Sequence, residues 1–95
     1  MATVMLMHWP EVSKEQYEEV RRTVAWETDV PKGEKFHVAW FGNDGFRVLD
    51  LWESPEDFQS FVDQRLTPGV AKAGIQGQPR VEIVPSYAIF APNPA

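Results

Sequence analysis

The 95-residue chain has no cysteine, no long apolar run and no excess of basic residues, and each absence closes off a class of function. Without cysteine there are no disulfides, no thiol nucleophile and no thiolate metal site, which fits a reducing compartment. No span approaches the ~20 apolar residues that cross a bilayer, and Met1-Ala2-Thr3 lacks the basic start of a secretory signal. A cytoplasmic location is the default expectation. Nine basic residues against fourteen acidic ones leave a net charge of −5, so neither nucleic acid nor an anionic membrane is an expected partner. There is no glycine-rich phosphate loop and no serine in a nucleophile elbow, because Ser13 and Ser54 read as helix caps. With two histidines, a metal site would need carboxylates such as Asp50 and Glu53 at spacings that match no known pattern. The expectation is therefore no metal and no other cofactor.

What the chain does have is aromatic bulk: four Trp and six Phe, enough to wall a pocket or an interface. A chain this short buries a small core, and oligomerisation is a natural supplement.

Thr3 to Trp9 reads as a strand stopped by Pro10, with Met5, Met7 and Trp9 on one face and Val4, Leu6 and His8 on the other. A helix follows, capped by Ser13 with Gln16 completing a capping box, and Val12 and Tyr17 stand at the hydrophobic-staple positions. Phe36–Phe41 and Phe46–Glu53 are strands around Gly42-Asn43-Asp44-Gly45, a hairpin signal in which Asn and Asp tolerate positive φ. With Asn43 and Asp44 as the turn, Phe41 faces Phe46, Ala39 faces Val48 and His37 faces Asp50. On the other face Trp40 meets Arg47 as a surface cation–π pair, Val38 meets Leu49 and Phe36 meets Leu51. Ser54 caps a second helix with Pro55 at its first position and Phe58, Phe61, Val62 and Leu66 as its apolar stripe. Thr67-Pro68 kinks or restarts it, Gly74 ends it, and Arg80–Val84 is the fourth strand. Tyr87–Phe90 reads as a short extension. Residues 1–91 form one domain and residues 92–95 a tail.

The order β-α-β-β-α-β with right-handed crossovers places both helices on one face of an antiparallel sheet, a ferredoxin-like α+β fold. The aliphatic side of the hairpin, Phe36, Val38, Leu49 and Leu51, is expected beneath the helices. That leaves Ala39, Phe41, Phe46, Val48 and Trp52, with His37 and Asp50 among them, on the open face. So large an apolar patch calls for a partner, and a homodimer paired sheet to sheet is the expected solution.

The run Val48-Leu49-Asp50-Leu51-Trp52-Glu53-Ser54-Pro55-Glu56-Asp57-Phe58, together with this order, resembles the dimeric α/β-barrel superfamily. Within it the likeness is to small antibiotic-biosynthesis-monooxygenase-like proteins, which carry a similar Trp-x-Ser-x-x-x-Phe junction. The resemblance implies a dimeric α/β barrel and admits a cofactor-independent oxygenase or an isomerase acting on a small aromatic or polyketide-like molecule. Haem-degrading relatives use a histidine on the second helix, and none lies between Ser54 and Gly74 here.

His37 and Asp50 are the candidate catalytic pair, since a carboxylate beside an imidazole fixes its tautomer and favours its protonated form. Trp52, Phe41 and Phe46 are candidate walls for a planar ligand. Each has a plainer reading: a buried polar pair that fixes register, and aromatics that pack a dimer interface. Tyr17 reads as the staple residue rather than a phenol donor, and His8 as a solvated strand end. Three functions stay open: an enzyme, a non-catalytic binder of a small ligand, and a structural or interaction module. An open pocket of a few hundred Å³ beside His37 and Asp50 would favour a ligand, and a filled interior a structural pair.

Overall fold

The computed structural model describes residues 2–92, so residues 93–95 of the expected tail lie outside it. The elements are β1 (Thr3–Trp9), α1 (Lys14–Val24), β2 (Glu34–Gly42), β3 (Gly45–Trp52), α2 (Pro55–Phe61), a π-helical turn (Val62–Leu66), α3 (Thr67–Lys72) and β4 (Arg80–Pro85). They form a four-stranded sheet in the order β2-β3-β1-β4, with every neighbouring pair antiparallel. This is the α+β ferredoxin-like arrangement expected from the order of elements.

Local chemistry sets the boundaries. Ser13 Oγ accepts from the Gln16 N–H at 3.1 Å and Gln16 Oε1 accepts from the Ser13 N–H at 2.9 Å, which completes the capping box of α1. Ser54 Oγ accepts from the Asp57 N–H at 3.1 Å, and Pro55 opens α2. Thr67-Pro68 restarts the helix, but the interruption takes the form of a π-helical turn. Gly74 ends α3 at φ +71°, and the Ile75 N–H donates to the Val70 carbonyl at 3.3 Å. Arg65, on the π-turn, donates to the carbonyls of Val24 and Asp29, placing a cation at the negative end of α1.

The β2–β3 register is as expected, with His37 opposite Asp50, Val38 opposite Leu49 and Phe41 opposite Phe46. The turn works differently. Asn43 and Asp44 keep negative φ, and the positive φ falls on Gly45, at +117°; a Cβ there would lie 2.6 Å from Pro10 Cα.

The two faces of the sheet are exchanged relative to expectation. Met5, Met7, Trp9, Phe46, Val48, Asp50 and Trp52 are buried with Val20, Val24, Phe58 and Phe61. The outward face carries Phe36, Val38 and Trp40, about two-fifths exposed, with half-buried Leu49 and Leu51. The physical reason is that Asp50 and His37 find their hydrogen bonds beneath the helices, so the polar pair is no obstacle to burial there. The bulkier side chains of this face, Trp9, Phe46 and Trp52, fill the gap between the layers.

Three smaller expectations also change. Tyr87–Phe90 is not a strand: among the described residues only the Ser86 N–H continues the pairing, to the Ala2 carbonyl at 2.8 Å, and Tyr87 and Phe90 stand out from the surface. The Arg47 guanidinium pairs with Asp44, the nearer and charged partner, rather than stacking on Trp40. His8 is not a free strand end, because its Nε2 lies 2.7 Å from the Asp44 carbonyl. Among the described residues no helix is long and apolar enough to cross a membrane.

Candidate active site

Asp50 is the anchor. β3 alternates strictly between half-buried and buried positions, and this puts Asp50 on the helix-facing side at 4 % exposure. A carboxylate so placed needs donors, and it has two: His37 Nδ1–H donates to Oδ1 at 2.7 Å and Trp52 Nε1–H donates to Oδ2 at 3.1 Å. The other ring nitrogen of His37, Nε2, lies 3.0 Å from the Tyr17 hydroxyl on α1. Trp52, Asp50, His37 and Tyr17 thus form one hydrogen-bonded row from the core to the helix layer.

Glu34 joins from the start of β2. It is opposite Trp52, while Phe36 is opposite Leu51, so Lys35 is the extra residue of a β-bulge. Without the bulge, Lys35 would stand opposite Trp52. With it, Glu34 turns inward and Lys35 outward, where it pairs with Glu53 at 3.0 Å. Ligating atoms of Glu34, His37 and Asp50 all lie within 4.8 Å of one another, a spacing that a divalent cation can bridge. The His37–Asp50 hydrogen bond occupies the space between two of the three, so a cation would have to replace that proton.

The environment tunes each group. Burial raises the Glu34 carboxyl to about 7, and the Asp50 charge pushes the same way, against smaller opposition from His37 and Arg65. For His37 burial works against protonation, but the hydrogen bond and charge of Asp50, helped by Glu34 and Glu27, outweigh it and raise its pKa. Burial also holds the Tyr17 phenol neutral, with its pKa pushed up to about 12. Tyr17 can therefore accept from His37 when the ring is charged and donate to it when the ring is neutral.

These groups edge a partly open cavity of about 60 Å³ between sheet and helices. Its polar lining is Tyr17, Glu34, His37 and Asp50, and the rest is apolar, including Met5, Met7, Trp26, Phe46, Val48 and Leu66. Tyr17, Trp26 and His37 also border an outer groove, so they form the wall between the cavity and solvent. The cavity has room for several waters, short of the few hundred Å³ of a ligand-filled pocket.

Of the residues expected to wall a site, Phe46 lines the cavity and Phe41 the outer groove. Trp52 lines neither. It is fully buried, packed against Phe58 and Phe61 at ring separations of 5.6 and 5.4 Å, and it touches the site only through its indole N–H. Tyr17, set aside as a staple, is a member of the row. Glu34 gave no signal in the sequence because a bulge cannot be read from alternation.

Neither a family model nor a curated protein matches the chain by sequence. Solved structures do match in shape. A protein of unknown function from Nitrosomonas europaea superposes with a TM-score of 0.63 at 16% identity, over 97% of this chain and 94% of that one. SnoaB, a cofactor-independent oxygenase from Streptomyces nogalater, superposes with a TM-score of 0.60 at 13% identity, over 97% of this chain and 96% of that one. An antibiotic biosynthesis monooxygenase gives a TM-score of 0.62 at 11% identity, over 93% of this chain and 100% of that one. Identities this low speak for architecture alone. The chain accordingly has the ferredoxin-like α+β fold shared by the antibiotic-biosynthesis-monooxygenase-like proteins.

Proposed function

We propose that the chain is a small-molecule enzyme of the cofactor-independent monooxygenase-like or isomerase-like kind, which moves a proton on a small aromatic or polyketide-like compound between sheet and helices. The observation that carries this reading is the row Asp50–His37–Tyr17 at the wall of an apolar cavity, with the pKa values of His37 and Tyr17 displaced from their ordinary values. In it Asp50 orients and charges His37, and His37 passes protons between the cavity and the outer groove. Phe46 supports the ring of the ligand and Phe41 the approach to it.

A second reading, that the pair is structural, is favoured by two facts: both ring nitrogens of His37 already have partners, and the cavity of about 60 Å³ falls short of a ligand-sized pocket. His37→Gln separates the two, since it keeps a donor beside Asp50 but removes the titrating ring. Turnover is followed by oxygen uptake and product analysis on a panel of hydroxylated ring compounds. The enzyme reading expects a loss of about 10²–10⁴-fold with an unchanged melting temperature. Lowered stability, or turnover as in the wild type, would sink it.

The proposal extends to a homodimer through the open face. That face carries Val4, Leu6, Phe36, Val38, Trp40, Leu49, Leu51 and Val84, with His8, Arg47, Arg80 and Glu82 at one end and exposed Tyr87, Ile89 and Phe90 beside it. Aromatic and aliphatic side chains uncovered over four strands fit a second copy of the same surface.

A further inference from the structure

Glu34, His37 and Asp50 reach one place from three parts of the sheet: the bulged start of β2, the strand beyond the bulge, and β3. Together they offer one imidazole nitrogen and two carboxylates, a set that suits a divalent transition ion where no thiolate is at hand. Three features around them are those of a coordination site. Two of the ligand groups have their outer atom held by a neighbour. Trp52 Nε1–H fixes Asp50 Oδ2 at 3.1 Å and leaves Oδ1 turned to His37, and the Tyr17 hydroxyl stands 3.0 Å from His37 Nε2 and leaves Nδ1 turned to Asp50. The cavity of about 60 Å³ that these residues edge admits water, which completes a coordination shell. Two carboxylates offset the charge of a dication, so the filled site is neutral within its apolar lining.

We infer that a Glu34 oxygen, His37 Nδ1 and Asp50 Oδ1 bind one divalent transition ion of the zinc class, with cavity water in the remaining position. Glu53, the carboxylate that sequence alone would pair with Asp50, faces outward to Lys35, and the β2 bulge supplies Glu34 in its place. The ion replaces the proton between Nδ1 and Oδ1, and that proton leaves to solvent. Nε2–H then donates to the Tyr17 oxygen, the outer bond that fixes a metal-bound imidazole. Zinc bonds of about 2.0–2.2 Å to nitrogen and oxygen set the ligand atoms of a tetrahedron roughly 3.4 Å apart. Nδ1 and Oδ1 open slightly from 2.7 Å to reach that spacing. Glu34, within 4.8 Å of both and half-buried on a flexible stem, closes in on them. The ion enters from the outer groove, past the wall of Tyr17, Trp26 and His37. Hard ions such as Mg²⁺ and Ca²⁺ prefer shells of oxygen and are poor fits to a set that includes imidazole. The site goes beyond the proton-moving reading and stands apart from it, because an ion on Nδ1 holds His37 out of proton transfer.

The test titrates chelator-stripped wild-type protein with Zn²⁺ by calorimetry and follows the ¹⁵N-labelled imidazoles of His37 and His8. A single Zn²⁺ per chain should bind at micromolar concentration in the presence of millimolar Mg²⁺, and the Nδ1 resonance should shift in His37 alone. Glu34→Gln and His37→Gln should each weaken binding by at least about 10²-fold, since loss of even an outer partner of a metal ligand costs 10–100-fold. His8→Gln removes the other imidazole that lies beside a carboxylate, Asp44, and should bind as the wild type does. The imidazole spectrum of the wild type decides the matter alone if a variant does not fold. No binding at micromolar Zn²⁺, a shift in His8 instead of His37, or undiminished binding by Glu34→Gln overturns the site. Such a failure leaves the proton-moving reading intact, because that reading stands or falls on turnover by His37→Gln.

Discussion

On β3, Val48 and Leu49 are adjacent and nearly equal in hydrophobicity, yet Val48 lies beneath the helices and Leu49 faces outward. The same contrast runs across the sheet. One face carries a row of polar groups set in large apolar side chains and closed by the helix layer. The other is mostly aliphatic and aromatic, with His8, Arg47, Arg80 and Glu82 gathered at one end, and stays open. The difference teaches that apolar content does not decide which face a helix layer covers. Here the covered face is the one whose polar groups have partners available from the covering layer, Tyr17 above all.

The largest effects should come from exchanging the two faces one residue at a time. Val48→Lys puts an unpaired charge into the core, at a cost that consumes most of the ~5–15 kcal/mol stability of a domain this size. Circular dichroism should show an unfolded or molten chain at 25 °C. Leu49→Lys, one residue on, should leave the spectrum and the melting temperature of the fold near wild type. It should raise the dissociation constant of the proposed homodimer by about 10²-fold, read by sedimentation equilibrium. A folded Val48→Lys protein would mean that the faces are assigned the wrong way round. A wild type that is monomeric at micromolar concentration would remove the second copy from the open face.

Next in size is Asp50→Ala. The substitution strands the Trp52 indole N–H in the core and leaves His37 without its carboxylate. Breaking a buried pair in this way costs about 3–5 kcal/mol, and each kcal/mol is worth roughly 4–8 °C in a domain of this length. Asp50→Asn, which still accepts from Trp52, should recover part of the loss. If urea unfolding finds both variants within about 0.5 kcal/mol of wild type, the row contributes nothing to holding the sheet against the helices.

How much of this was legible from sequence alone follows from the kind of signal each residue gives. Ser13 with Gln16, Ser54 with Pro55, and the Asn43-Asp44 turn are local, so helix starts and hairpin register could be read, and with them the pairing of His37 with Asp50. The side of the sheet was not legible, because both faces of the hairpin are apolar and alternation marks two faces without labelling them. Tyr17 joined the site only once α1 was docked over His37, a tertiary fact. Glu34 depended on a one-residue bulge that reverses the alternation at the start of β2. Trp52 read as a pocket wall for the same reason that the faces were exchanged, and the fold puts it in the core instead.

The smallest effect is the most specific to the closed face, and it turns on the sign of a linkage. Folding raises the Glu34 carboxyl from the usual 4.5 to about 7, so the folded state holds its proton more tightly than the unfolded state does. The stabilisation from that proton is complete below about 4.5 and is lost as pH rises to about 7. Above that, the cavity carries a poorly solvated charge beside Asp50. His37, whose pKa is also raised, loses its contribution in the same direction as pH climbs past its folded value. The wild type should therefore be more stable near pH 5 than near pH 8. Glu34→Gln abolishes the Glu34 share and should melt higher than wild type at pH 8, by on the order of 1 kcal/mol once the partial exposure of the carboxyl is allowed for. At pH 4 the two proteins should melt together. The outward-facing Glu53, paired with Lys35 at the surface, supplies the control: its carboxyl is held below the ordinary value, so Glu53→Gln should not stabilise the fold at any pH. A Glu34→Gln protein that melts with or below wild type at pH 8 would show that the carboxyl is relieved by solvent or by Arg65, and the acid-favoured half of the contrast between the faces would rest on His37 alone.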